Sequence, residues 1–222
     1  MKKDSAIIVL SGGMDSGVLL ADYVSKVDVV AALFFYYGSK HNDKEMACAE
    51  VLATKYGVEL KKISLPFINE LFNSSLLTGS DLEIPEGHYE EENMKSTVVP
   101  FRNGIMLAIA AGYAESVEAD MLLIGSHAGD HAIYPDCRPE FNKAFADAVR
   151  LGTYNGVRIE APYSGISKME IGRIGYQVDF PFEKSWTCYK GLDIHCGKCG
   201  SCVERKEALN VDGHVDPTVY SN

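Results

Sequence analysis

Four of the chain's six cysteines, Cys188, Cys196, Cys199 and Cys202, stand close together in the order C-x7-C-x2-C-x2-C. Overlapping C-x2-C steps, with Gly197 and Gly200 inside them, make a tight knuckle that can aim thiolates at one ion. Cys188 arrives from a loop that carries Gly191. Four thiolates close a tetrahedral shell, so the expected metal is a structural Zn2+ with no open position. Four-cysteine sites also hold iron–sulfur clusters, and His195 is a spare ligand. Without secretory features, such clustering favours metal over disulfides. Cys48 falls in a helical pattern and reads as packing. Cys137, in a loop, lacks an evident activating base.

The second chemically suggestive stretch is Ser11-Gly12-Gly13-Met14-Asp15-Ser16. The apolar run Ala6-Ile7-Ile8-Val9-Leu10 stops at the glycines, and a helical pattern opens at Gly17-Val18-Leu19-Leu20. Strand, tight loop and helix in that order present free N–H groups and the positive end of a helix dipole, which suit a phosphate. Gly12 and Gly13 are expected to allow positive φ and close approach of an anion. The loop lacks the lysine of G-x-x-x-x-G-K-[ST] and does not match G-x-G-x-x-G. Residues Leu10, Ser11, Gly12, Gly13, Met14, Asp15, Ser16 and Gly17 are the expected nucleotide-binding segment. Asp15 is expected either to cap the helix or to meet Mg2+, an ion that prefers oxygen ligands.

These groups need a scaffold. Val27 to Tyr37 is a near-continuous apolar run suited to a strand buried on both faces. Residues 43–56 show helical spacing closed by Gly57, and residues 58–63 read as a third strand. Residues 101–117 form a helix with small residues at Ala108, Ala110, Ala111 and Ala114. Strands follow at 121–124 and 158–161, with helices at 139–151 and 167–174. Pro139 suits a first turn, and Ser167 with Glu170 forms a capping box. The alternation implies an α/β fold: a Rossmann-like, doubly wound, parallel five-stranded sheet. The expected division is a nucleotide-binding catalytic domain over residues 1–180 and a small C-terminal zinc-binding module with tail over 181–222. Residues 76–100 break the rhythm with Gly79, Pro85, Gly87 and the acidic group Glu90-Glu91-Glu92. That excursion reads equally as a lid or as a solvated loop.

Hydrophobic content is 46% and the formal net charge is −10. No apolar run approaches the ~20 residues of a membrane span, and no signal peptide is visible, so a cytoplasmic location is expected. The acidic balance argues against a broad nucleic-acid surface, which needs clustered lysine and arginine.

S-G-G-x-D-S resembles the pyrophosphate loop of the ATP pyrophosphatase, or PP-loop, superfamily. Further segments narrow the likeness: Tyr37-Gly38-Ser39-Lys40-His41, Val99-Pro100-Phe101-Arg102-Asn103, Tyr134-Pro135-Asp136-Cys137-Arg138-Pro139-Glu140-Phe141, and Thr187-Cys188-Tyr189. With the cysteine spacing they resemble the QueC family of queuosine and archaeosine precursor biosynthesis, from Ile7 to about Tyr220. The resemblance implies a carbon–nitrogen ligase and a homodimer. The implied substrates are 7-carboxy-7-deazaguanine, ammonia and ATP. The acid is adenylated and aminated to the amide, and a second ATP activates the amide for elimination to the nitrile.

On that likeness Ser11, Gly12, Gly13, Asp15 and Ser16 hold the β and γ phosphates, and Lys168 contacts a phosphate. Arg102 suits a phosphate bidentately, and Asn103 can read a base edge. Asp136 can accept from the N1–H and exocyclic amine of a guanine-like ring, and Arg138 can pair with the substrate carboxylate. His127, Asp130 and Tyr134 complete the expected substrate residues, since open α/β sheets bind ligands after such strands; His41 is a weaker candidate. The family pattern around Arg102 is Val-Pro-Gly-Arg-Asn, so Phe101 is a departure. It reads as a base-stacking or a core aromatic. Three other readings compete: a tRNA-modifying enzyme on the same loop, a QueC-like paralogue using another amine, and an ATP sensor that reports through its zinc knuckle.

Overall fold

The computed structural model describes residues 3–88 and 94–221, so Glu90, Glu91 and Glu92 lie outside the described residues. Five parallel strands form the sheet: β1 (Ser5–Val9), β2 (Asp28–Tyr36), β3 (Leu60–Ser64), β4 (Met121–Leu123) and β5 (Arg158–Glu160). Their order in the sheet is β3-β2-β1-β4-β5. Among the described residues the α-helices are α1 (Met14–Tyr23), α2 (Asn42–Tyr56), α3 (Pro66–Leu71), α4 (Arg102–Ser116), α5 (Pro139–Gly152), α6 (Lys168–Gln177) and α7 (Gly200–Leu209). The sheet grows from β1 toward β2 and β3 and then turns back to β4 and β5. Strand order therefore reverses between β1 and β4, and a crevice opens beyond their C-terminal ends.

Period-two alternation in β1 divides the core. Ile8 packs with Leu19 of α1, Leu52 of α2, Ile171 of α6 and Leu209 of α7 on one face. Ile7 packs with Leu107 and Ala110 of α4 and with Val149 of α5 on the other. Each such aliphatic side chain contributes about 1.5–3 kcal/mol when fully buried. Alanines 110, 111 and 114 bring α4 onto the sheet, as their size predicts.

Several boundaries differ from the sequence reading. In β2 the residues before Ala31 are not enclosed: Val30 is 40% exposed, and two-faced burial begins only where helices cover the strand. The third strand starts at Leu60, because Gly57 is left-handed and the Val58 amide still bonds to the Ala53 carbonyl at 2.9 Å, closing α2. Helix α3 was not expected. It is short and leaves Leu71 exposed, so it carries little periodic signal. In the 76–100 excursion, Leu77 bridges to Ser39 and Glu86 to Cys199.

Residues on both sides of position 180 share one core. Phe180 and Phe182 pack with Ala208, Leu209 and Val18. Fully buried Arg205 of α7 donates to the Phe182 carbonyl at 2.7 Å, Ser185 Oγ at 3.0 Å, Thr187 Oγ1 at 2.9 Å and Thr218 Oγ1 at 2.7 Å. The cysteine module is thus seated on the sheet through a continuous apolar and polar floor.

Candidate active site and metal centre

A cavity of about 250 Å³ lies at the strand-order reversal. The loop after β1 forms one wall. Gly12 has φ +80°, and a Cβ there would stand 2.1 Å from the Glu45 carbonyl oxygen and 2.8 Å from the Ala49 nitrogen. The loop therefore lies directly on α2, which only glycine permits. Gly13 differs from expectation: its φ is −75°, and it serves as the N-cap of α1 without a side-chain hydrogen bond. Asp15 does not cap the helix either. The first-turn amides of α1 have no side-chain cap, an arrangement suited to an anion. Ser16 Oγ accepts from the Ser11 amide at 3.1 Å and lies 3.0 Å from Ser11 Oγ, so these hydroxyls hold the loop's own curvature.

Lys168 enters from the capped first turn of α6. Its Nζ lies 3.2 Å from Asp15 Oδ2 and 2.9 Å from Glu204 Oε2. Burial opposes its charge, yet Asp15, Glu204 and Asp130 outweigh burial and raise its pKa. Asp15 is shifted down: burial pushes it up, but Lys168 and His127 prevail. Asp130 is raised by burial despite His127 and Lys168. His127 Nδ1 accepts the Gly129 amide at 3.0 Å, so in the neutral ring the proton sits on Nε2, 3.6 Å from Asp130 and 3.9 Å from Asp15. Asp15 Oδ1 is buried and has no hydrogen-bond partner among the described residues, which fits a hard divalent cation.

The opposite wall comes from α4 and the segment after β4. Arg102 donates to Tyr37 Oη at 3.1 Å and, more weakly, to Asn103 Oδ1. Asp136 Oδ2 accepts the Asn103 amide at 2.8 Å and so caps α4 from outside its own segment. Asn103 Nδ2 points to Cys137 Sγ at 2.8 Å, while burial pushes that thiol's pKa up, the reverse of what a nucleophile needs. Tyr134 Oη pairs with Thr97 Oγ1 at 3.1 Å and Tyr189 Oη at 3.3 Å.

The four clustered cysteines are all buried, and their sulfurs lie within 4.8 Å of one another, with Cys196 and Cys202 at 4.0 Å. Sulfurs on a tetrahedral ion with ~2.3 Å bonds stand about 3.8 Å apart, so the group fits a single metal. An iron–sulfur cube gives each thiolate its own iron and would spread the sulfurs further. Amides of Cys196, Lys198 and Cys199 approach cysteine sulfurs at 3.3, 3.5 and 3.3 Å. His195 is not a fourth ligand in reserve: its Nε2 accepts the Thr187 amide at 3.2 Å.

A family model described as queuosine biosynthesis protein QueC matches residues 5–213. The chain belongs to the QueC family. Its relatives include the 7-cyano-7-deazaguanine synthase of Desulfotalea psychrophila, 60% identical over 215 residues, spanning 97% of this chain and 98% of that protein. The 7-cyano-7-deazaguanine synthase of Porphyromonas gingivalis (strain ATCC 33277) is 56% identical over 220 residues, spanning 99% and 98%. The QueC-family chain is an enzyme, as its relatives' names denote. Among solved structures, the U34-tRNA thiolase NcsA of Methanococcus maripaludis, described with its [4Fe-4S] cluster, has a TM-score of 0.51. It is 17% identical, and the match covers 83% of this chain and 59% of that one. The NMN synthetase of Francisella tularensis also scores 0.51, at 16% identity, covering 87% and 70%. At such identities the likeness is of fold.

Of the residues expected from the sequence, Leu10, Ser11, Gly13, Met14, Asp15, Ser16, Arg102, Asn103, Asp130, Tyr134, Asp136 and Lys168 line the cavity of this QueC-family chain. Gly12 and Gly17 lie behind the loop, packed on α2 and Phe180. His127 sits behind Asp15, and Arg138 is turned aside, its Nε donating to the His131 carbonyl at 3.0 Å. Phe101 is neither core nor stacked in the cavity. It is 55% exposed, left-handed at φ +51°, and meets Phe141 edge-on. No described residue of the 76–100 excursion lines the cavity. Sequence reasoning missed Glu45, Thr187, Ser201 and the Lys168 partner Glu204. Glu45 follows His41 at i+4, a spacing that could have drawn attention to both.

Proposed function

We propose that this chain converts 7-carboxy-7-deazaguanine and ammonia to 7-cyano-7-deazaguanine with ATP, through an adenylated acid, the amide and an adenylated amide. One observation carries this reading. The uncapped α1 loop and the Tyr134–Asp136 segment line one cavity, in a chain 60% identical over its length to a protein of that name. Ser11, Gly13, the α1 amides and Lys168 bind the triphosphate end of ATP. Asp15, through its free oxygen, holds a Mg2+ that neutralises the pyrophosphate leaving group. Asp136 and Asn103 face the deazaguanine, and Arg102 fixes its carboxylate. The four-cysteine centre holds Zn2+, which supplies folding energy to the walls formed by Thr187, Tyr189 and Ser201. The protein acts as a cytoplasmic homodimer on small molecules without nucleic acid.

Incubation with ATP, Mg2+, ammonia and 7-carboxy-7-deazaguanine tests the reading. The expected products are the nitrile, AMP and pyrophosphate. A folded, metal-loaded protein that makes neither nitrile nor amide would sink it. Elemental analysis should find zinc and no iron.

A further inference from the structure

Glu45 belongs to α2, yet its side chain lines the cavity, only 16% exposed. Its position is rigid, because Gly12 packs against the Glu45 carbonyl and leaves no room even for a Cβ. Among the described residues no lysine or arginine forms an ion pair with its carboxylate. Its neighbour there is His41 Nε2 at 3.7 Å. His41 is itself held: Nδ1 lies 3.2 Å from the Tyr189 carbonyl, which can only accept. The ring proton is therefore on Nδ1, and Nε2 turns a lone pair toward Glu45. Burial, followed by the charge of Arg102, keeps this imidazole neutral, its pKa lowered to about 4. The groups facing Glu45 from the surrounding elements are Arg102 of α4, Tyr37 after β2, Cys48 one turn along α2, and His41.

The geometry points to Glu45 as the proton acceptor for nitrogen in this site, with the lone pair of His41 Nε2 placed to face the carboxyl once it carries the proton. This rests on the proposed conversion, in which nitrogen must lose protons at each stage. Ammonia attacks the acyl adenylate, a C–N bond forms, and the C–O bond to AMP breaks with its electron pair leaving on AMP. One N–H proton must depart to give the neutral amide. The amide oxygen then attacks the α phosphorus of a second ATP; the new O–P bond forms as the bond to the β phosphate breaks and pyrophosphate leaves with its electron pair, giving a protonated imidate adenylate, and two further protons leave nitrogen. As the last one goes, its electron pair becomes the third C–N bond and the second C–O bond breaks toward AMP. Glu45 takes these protons and passes them to water at the cavity mouth, which its residual exposure permits. Its carboxyl, raised by burial to about 8 although Arg102 pulls it down, is matched to an amine proton near neutral pH.

The test uses the full, metal-loaded chain and Glu45→Gln. Exchange of labelled pyrophosphate into ATP with the acid, in the absence of ammonia, involves no nitrogen proton and should be unchanged. Nitrile formation from the acid, and from the amide supplied directly, should fall about 100-fold or more in kcat. Unchanged nitrile formation, or exchange and nitrile formation falling together, would overturn the assignment. If Glu45→Gln does not fold, Glu45→Asp takes its place, withdrawing the carboxylate by one methylene. A selective loss of nitrile formation is then expected, and an equal loss of exchange overturns it. A wild-type protein that performs the exchange but makes neither product from ammonia refutes the underlying reaction instead, and this assignment with it.

Discussion

Asp15 and Lys168 sit at 3.2 Å in a largely enclosed wall, with Glu204 holding the lysine from the far side. Lys168→Met should lower nitrile formation by roughly 100-fold or more, since it removes a fixed cation from the site of charge development; steady-state kinetics at saturating ATP read this out. The same pair predicts a pH dependence. Asp15 lies below its unfolded value of 3.8, so its stabilisation is present above that pH and is lost as pH falls through the folded value. Lys168 lies above 10.5, so its contribution is present below that pH and is lost as pH rises through the folded value. Thermal midpoints of wild type and Asp15→Asn should differ at neutral pH and approach one another below pH 3.8. Glu45 runs the other way. Its raised carboxyl stabilises the fold below 4.5 and that gain disappears as pH climbs through about 8. Glu45→Gln should therefore melt above wild type at pH 9 while failing in catalysis, a divergence visible by differential scanning fluorimetry.

The loop after β1 and the start of α4 show how elements impose backbone demands. Gly12→Ala would drive a Cβ into the backbone of α2, and no side-chain rearrangement relieves that. It should abolish ATP binding and destabilise the fold by about 3 kcal/mol or more, by analogy with overpacking. Gly13→Ala, at φ −75° with Ser11 Oγ at 3.2 Å and the Trp186 carbonyl oxygen at an ordinary 3.5 Å, should stay folded. Denaturant titration distinguishes the two. At α4 the position before Arg102 is left-handed, and Phe101 occupies it. Phe101→Val should cost about 1–2 kcal/mol, because a β-branched residue is strained at positive φ. Phe101→Gly should change stability by less than about 1 kcal/mol, relieved strain offsetting lost contact with Phe141.

The molecule joins its four-cysteine cluster to its cavity through short covalent distances. Trp186 donates its amide to the Gly12 carbonyl at 3.0 Å, and Thr187, Tyr189 and Ser201, neighbours of the cysteines, line the cavity. Removing the metal with a chelator should lower the thermal midpoint and weaken ATP affinity together, while re-addition of Zn2+ restores both. Loss of activity at unchanged stability would contradict a structural centre. The binding measurement is calorimetric and the stability measurement a melt of the same sample.

Much of this was legible beforehand for physical reasons. The apolar run of β1, the glycine stop, and the tight cysteine spacing are local patterns, each written over a few consecutive residues. They determined the parallel α/β fold, the tight loop between β1 and α1, and the four-cysteine cluster. The tertiary structure decided what depends on distant partners: that Gly12 rather than Gly13 carries the positive φ, since α2 presses on it; that Asp15 answers Lys168 rather than a helix end; that Arg138 turns to a carbonyl; and that Glu45, an ordinary acidic residue in the first turn of a helix, faces the cavity. Spacing along a chain encodes neighbours on one element. Charge pairing across elements arises only when the sheet brings their ends to the same crevice.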